Sequence, residues 1–176
     1  IDTVHSLCVD IPGYDFDMMG LYGRWSKERA LDRYPLHRGI QSIKSKRGSS
    51  SHNHNPFTAL VRKGANEEYG ECYGFNLVYS SNFSIDVEVD GFASSRLVMG
   101  INPDGFSWML SPGEEFYSPE AVMVYTNNGI GEMSRIFHKL YSNNLVRGKW
   151  KKAKRPLLIN NWEGTGMNFD HNKLVS

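Results

Sequence analysis

Ile85-Asp86-Val87-Glu88-Val89-Asp90 alternates aliphatic and acidic side chains without a break. Successive side chains of a strand point to opposite faces, so one face of this segment is aliphatic and the other acidic. That pattern suits a half-buried antiparallel strand, with one face on a core and one in water. Carboxylates two apart share a face and could be read as a calcium site. No glycine-bearing metal loop accompanies them, so a solvated strand face is the simpler reading.

Outward from this strand the same period recurs. Upstream, Tyr73, Phe75, Leu77 and Tyr79 fall on one face, with Gly74, Asn76 and Val78 on the other. Before the polar turn Gly64 to Gly70, Ala59 and Val61 alternate with Leu60 and Arg62. Val4, Leu7 and Val9 open the chain as a strand stopped by Pro12-Gly13, and a second runs from Phe16 to Trp25. Downstream, Leu97, Met99 and Ile101 alternate up to the turn Asn102-Pro103-Asp104-Gly105. Phe106, Trp108 and Leu110 are expected to form the next strand, and Ala121 to Tyr125 another. Repeated short strands with turn signals predict a sandwich or barrel. Glu114 and Glu115 are adjacent, so on a strand they point to opposite sides and cannot flank one scissile bond.

The period then changes. Met133, Ile136, Phe137, Leu140 and Tyr141 mark one face of an amphipathic helix, with Glu132 near its positive N-terminus and Gly148 beyond its end. A basic stretch, Lys149 to Arg155, surrounds Trp150. It reads as an exposed linker rather than a nucleic-acid site, since no second patch or motif supports it. Pro156-Leu157-Leu158-Ile159-Asn160-Asn161-Trp162-Glu163-Gly164-Thr165 follows. Its unbroken apolar run implies a strand of a parallel sheet covered on both faces, although so short a run is also compatible with a buried helix segment. The C-terminal end of such a strand is where α/β barrels carry their chemistry, which makes Asn160, Asn161 and Trp162 the candidate site residues.

Composition bounds the function. A chain of 176 residues with net charge +1 gives no bulk attraction to nucleic acid or anionic membrane. No apolar run approaches the roughly 20 residues that span a bilayer. Cys8 and Cys72 have no metal spacing and suit a reducing, cytoplasmic setting. The segment Ser49 to Pro56 has turn chemistry throughout. His52 and His54 could chelate a metal, but no neighbouring Cys, Asp or Glu completes a ligand set.

Several stretches together resemble the bacterial α-galactosidases of glycoside hydrolase family 36. Gly23-Arg24-Trp25-Ser26-Lys27-Glu28-Arg29 resembles the family's G-x-W-x-x-E-R element. Arg33-Tyr34-Pro35-Leu36-His37-Arg38-Gly39-Ile40-Gln41-Ser42-Ile43-Lys44-Ser45-Lys46-Arg47-Gly48 resembles the run that follows it. The His52 loop, with His52 and Asn55 expected to bond backbone, the Leu110 to Glu120 segment and the Pro156 to Thr165 stretch resemble further family text in the same order. The resemblance implies a mainly β fold: an antiparallel β-sandwich (part of a supersandwich) with one C-terminal amphipathic helix over residues 1–148. A basic linker at 149–155 and the first strand of a truncated (β/α)8 barrel at 156–176 would follow.

The implied activity is retaining hydrolysis of terminal α-galactosyl residues from melibiose or raffinose-type sugars, in a cytoplasmic homo-oligomer, tetrameric in the intact family. The two catalytic aspartates would lie on later barrel strands, so no catalytic residue is expected here and the chain alone is expected to be inactive. Trp162 is implied as a wall of the galactose pocket, with Asn160 and Asn161 as lesser pocket residues. No metal, cofactor, nucleic acid or membrane is implied. Where the family usually reads A-T-Y-F-D-F, this chain has Gly164-Thr165-Gly166-Met167-Asn168-Phe169, so Gly166 and Asn168 replace a Tyr and an Asp. The rival reading is a carbohydrate-binding or subunit-organising sandwich, with Trp25, Trp108 or Trp150 as sugar platforms. A lone barrel strand would leave unpaired edges, so association with other chains is expected.

Overall fold

The computed structural model describes residues 1–175; Ser176, the last residue of the expected barrel segment, lies outside the described residues. The chain divides into two compact units, Ile1–Lys139 and the residues from Leu140 on. The first is built from nine strands: β1 (His5–Pro12), β2 (Phe16–Arg24), β3 (Lys27–Pro35), β4 (Gly39–Lys44), β5 (His54–Arg62), β6 (Cys72–Val78), β7 (Phe83–Val89), β8 (Ser94–Ile101) and β9 (Glu120–Thr126). Helix α1 (Gly129–Leu140) follows. One sheet has the order β1-β8-β7-β4 and the other β3-β2-β5-β6-β9, with antiparallel pairing throughout.

The alternation of β7 operates as expected. Ile85, Val87 and Val89 are buried, and Glu88 is exposed. They meet Met18, Leu60, Phe75 and Leu77 of the other sheet in one core with Ile43, Leu97 and Met99. Asp86 pairs with Lys44 at 3.2 Å and accepts from the Ser42 hydroxyl, so the acidic face is a lattice of ion pairs and hydrogen bonds. Beside it, the Arg96 guanidinium grips Asp10 at 2.7 Å and holds its carboxyl below the usual carboxylate range, chiefly by hydrogen bonding.

β5 departs from the expected alternation: Thr58, Ala59, Leu60 and Val61 are all buried. It is the middle strand of its sheet and is covered twice. Leu60 faces the core, while α1 lies on the opposite face, where Phe137 meets Phe57 edge-on at 5.8 Å. Gly74 on β6 makes room for the helix, since a Cβ there would sit 2.6 Å from Phe137 and 2.7 Å from Met133. The N-terminus of α1 is capped by a loop: Ile130 and Gly131 donate to the Asn66 and Glu67 carbonyls at 2.9 and 3.1 Å.

The run from Arg33 to Gly48 owes its chemistry to architecture. Arg33 donates to Asp17 on β2 at 2.7 Å and to the Ala65 carbonyl at 2.8 Å, tying edge strand β3 to the far end of β5. Gln41 closes the turn before β4. Its side-chain oxygen accepts from the His37 N–H at 3.1 Å, and its amide donates to the His37 and Gly39 carbonyls at 3.0 Å. β3 and β4 had no clear alternation, and periodicity did not find them.

Phe106, Trp108 and Leu110 do not form the expected strand; residues 102–119 contain none. Trp108 and Ile1 exchange backbone hydrogen bonds at 2.9 and 2.8 Å, but the pairing goes no further. The aromatics pack on one another instead, with the Phe116 ring 5.4 Å from Trp108 and 6.3 Å from Phe106.

 Phe116 is thus the hub of a small ring cluster of its own, and Trp108, Met109 and Tyr117 keep much of their surface in water.

In the second unit, a π-type turn (Tyr141–Leu145) and a 3-10 turn (Lys149–Lys151) lead to two short helices, α2 (Trp162–Thr165) and α3 (His171–Val175). Leu157–Ile159 form neither the expected strand nor a doubly buried segment. Leu157, Leu158 and Ile159 are 99%, 93% and 79% exposed, and residues 155–160 make no backbone–backbone hydrogen bond among the described residues. The physical reason is that a strand exists only as a ladder, and no described segment pairs with this one.

Candidate functional site

The candidate residues lie just beyond the exposed apolar run, and the chain there folds on itself. Asn160 accepts the Trp162 N–H on its side-chain oxygen at 3.0 Å. Asn161 offers its carbonyl to the N–H groups of Gly164 and Thr165 at 3.1 and 2.9 Å. Its side-chain amide donates to the Thr165 hydroxyl at 2.9 Å, and that hydroxyl donates back to the Asn161 carbonyl at 3.0 Å. The two asparagines therefore build the single turn of α2, by the local side-chain chemistry that favours Asn at turns. Thr165 completes this clasp; the sequence reading missed it, although an Asn and a Thr four apart is the spacing of one helical turn.

Trp162 emerges from this turn 57% exposed. An indole face is apolar with a negative π cloud, suited to the C–H face of a sugar ring. Gly166 ends the turn at φ 56° and ψ −129°, and its N–H bonds the Trp162 carbonyl at 2.9 Å. A residue with a side chain enters that backbone region only with strain, so glycine at this position fits the path the chain takes.

The acids of residues 155–175 are Glu163, exposed on α2, and Asp170, whose carboxylate accepts the Lys173 N–H at 2.9 Å. Asp170 is engaged at the start of α3. Retaining glycoside hydrolysis uses two carboxyl groups about 5–5.5 Å apart. The segment thus presents an aromatic surface with neighbouring amides. Upstream, Lys149 to Arg155 is exposed, with the Lys149 ammonium 4.7 Å above the Trp150 ring.

The histidine loop is ordered by other groups than those expected. Asn55 does bond backbone, donating to the Leu21 carbonyl at 3.1 Å. His52 is exposed and makes no such bond among the described residues; the Ser51 hydroxyl accepts the Asn53 N–H at 3.2 Å instead. His54 packs edge-on against Tyr22, ring centroids 5.5 Å apart.

Comparison with known proteins gives these features a family. Residues 1–111 match the model of the glycosyl hydrolase family 36 N-terminal domain, and residues 115–176 match the melibiase model. Alpha-galactosidase AgaA of Geobacillus stearothermophilus is 50% identical over 171 residues, which are 97% of this chain and 24% of that protein. Alpha-galactosidase C of Emericella nidulans is 45% identical over 174 residues, 99% of this chain and 23% of its own. The crystal structure of a Geobacillus AgaA variant in complex with stachyose superposes with a TM-score of 0.93 at 49% identity, covering 99% of this chain and 24% of that one. The α-galactosidase from Lactobacillus brevis superposes with a TM-score of 0.92 at 42% identity, covering 99% and 23%. The chain thus spans about a quarter of the length of the relatives it matches. With the paired sheets, the order of motifs and the family models in agreement, this chain belongs to glycoside hydrolase family 36 and carries that family's N-terminal β-sandwich domain.

Proposed function

We propose that these residues are part of a retaining α-galactosidase that hydrolyses terminal α-galactosyl residues of melibiose or raffinose-type oligosaccharides. The observation that carries this reading is 50% identity to AgaA, sustained over 97% of the chain. Related structures described as complexes with stachyose and raffinose support the substrate class. In this reading residues 1–148 are the sandwich and its helix, 149–155 a linker, and 156–176 the opening of the catalytic barrel. Leu157 to Ile159 become a strand once the neighbouring barrel strands pair with them, which accounts for three exposed aliphatic side chains in a row. Trp162 then stands at the barrel mouth as a wall of the sugar pocket, and the catalytic aspartates come from later strands. Two free cysteines fit a cytoplasmic protein, and a homo-oligomer is part of the same proposal.

The test replaces the corresponding quarter of AgaA from Geobacillus stearothermophilus with these 176 residues. The chimera is expected to release galactose from raffinose, and its Trp162→Ala variant to lose activity by about tenfold or more, the effect of losing ~1.4 kcal/mol of binding. The 176-residue chain alone is expected to show no turnover of p-nitrophenyl α-galactoside. A folded chimera without activity, or turnover by the chain alone, would overturn the proposal.

A further inference from the structure

Each sheet of the sandwich ends on two strands that have one neighbour apiece among the described residues: β1 and β4 in one sheet, β3 and β9 in the other. An edge strand turns the N–H and C=O of every second residue away from its sheet, a row that another strand can pair with. Charge, proline, bulges and short length blunt such edges. Three of the four edges carry these devices. β1 has a register irregularity between His5 and Leu7, an Asp10–Arg96 ion pair and a terminal Pro12. β3 presents Lys27, Glu28, Arg29 and Asp32 to water and ends in Pro35. β4 is six residues long and ends in Lys44.

β9 is not blunted in these ways. Its seven residues, Glu120-Ala121-Val122-Met123-Val124-Tyr125-Thr126, include no lysine, arginine or proline, and it follows β6 without a register shift. Outside the ladder with β6, residues 120–126 make no backbone–backbone hydrogen bond among the described residues. Ala121, Met123 and Tyr125 share one face and stand opposite Leu77, Phe75 and Tyr73, which form or pack on the core. Met123 and Tyr125 are nevertheless 41% and 54% exposed, because no described strand lies beyond them. On the other face Val124 and Thr126 are buried.

The strand is also complementary to itself. In an antiparallel pair about a two-fold axis at Met123, the two Met123 side chains face each other. The small Ala121 of each copy faces the large Tyr125 of the other, and Val122 faces Val124, the kind of β-branched neighbour that strands favour. Glu120 meets a Thr126 hydroxyl. The two Glu120 carboxylates then lie at opposite ends of the ladder, about 20 Å apart at the rise of an antiparallel strand, where salt screens their repulsion.

We propose that β9 is the surface by which two copies of this chain join, edge to edge and antiparallel, so that the five-stranded sheets of both sandwiches become one continuous sheet. The contact is isologous and closes at two copies. It rests on the strand edge and not on the α-galactosidase reading.

The experiment uses the chain carrying Leu158→Lys and Ile159→Lys, so that the exposed aliphatic run does not obscure the result. Its sedimentation mass is expected to approach twice 20.0 kDa as concentration rises. Met123→Lys sets two like charges at the axis and is expected to weaken the dimer by about tenfold or more. Ile40→Lys, at an exposed position of the β4 edge, is expected to leave it unchanged. A cross-link reads the register directly. Cys72 is buried, and Cys8→Ser removes the exposed thiol. In that background Met123→Cys is expected to join two copies when diamide is added, the two thiols giving their hydrogens to the diamide as the S–S bond forms. Glu120→Cys is expected to give no cross-link, since a disulfide needs Cα atoms within about 7 Å. Cooperative melting checks the fold of each variant, and the cross-link does not depend on Met123→Lys folding. A mass that stays at one chain up to the solubility limit overturns the proposal. A dimer left intact by a folded Met123→Lys chain, or equal cross-linking at the two cysteine positions, overturns it as well. Galactose release by the AgaA chimera is read separately, so failure here is distinguishable from failure of the hydrolase reading.

Discussion

Gly100 on β8 lies against the chain entering β1, where a Cβ would come within 2.2 Å of the Val4 carbonyl oxygen and 2.9 Å of the His5 Cα. Both are backbone atoms, so neither can turn aside as a side chain could. The Ile101 N–H bonds that same Val4 carbonyl at 3.1 Å, and a displaced β1 would lose this bond too. Gly100→Ala is expected to cost about 1–3 kcal/mol, as overpacking does. Urea unfolding should show a lower midpoint with an unchanged slope. Gly91 meets nothing within 4 Å, so Gly91→Ala serves as the control and should stay within about 0.5 kcal/mol. The same scale explains part of the candidate site. Asn160, Asn161 and Trp162 were legible as residues beyond an apolar run, but the use of both asparagines in shaping the turn depends on hydrogen bonds to Trp162 and Thr165.

Among the elements, α1 was read from sequence almost to its ends, because the positions that form its apolar face recur at helical spacing. Met133 and Phe137 are its buried anchors, at 2% and 4% exposure. Phe137→Ala would leave a cavity against Phe57 and Gly74, and truncations of this kind cost about 3–5 kcal/mol. That is a large fraction of the roughly 5–15 kcal/mol that holds a typical domain folded, so thermal melting should fall steeply. The exposed Glu132–Arg135 pair at 2.8 Å belongs to another order of magnitude: helical pairs three apart contribute about 0.2–0.5 kcal/mol. Glu132→Gln should therefore melt close to the parent chain. β5 was harder to read. Its double burial comes from α1 lying on its second face, and α1 is more than 60 residues away in the sequence.

At the scale of the molecule, the run Leu157–Ile159 exposes three consecutive aliphatic side chains. Each such side chain gains about 1.5–3 kcal/mol when fully buried, so the isolated chain is expected to associate as its concentration rises. Sedimentation of a Leu158→Lys, Ile159→Lys double variant should show a mass nearer the monomer, with the sandwich melting as before. The sequence by itself determined the strands whose two faces meet different surroundings, such as β7, because alternation records the difference between core and water. It also determined α1, and through the ordered motifs it pointed to the family. Only the tertiary structure decided which strands are neighbours, that β5 is covered on both sides, and that Arg33 and Gln41 are architectural. It also decided that Phe106 and Trp108 join a ring cluster rather than a sheet, and that Leu157–Ile159 finds no ladder among the described residues. The reason is physical: these outcomes depend on partners distant in sequence, and a local pattern records only whether a side chain is wanted in or out, not what meets it there.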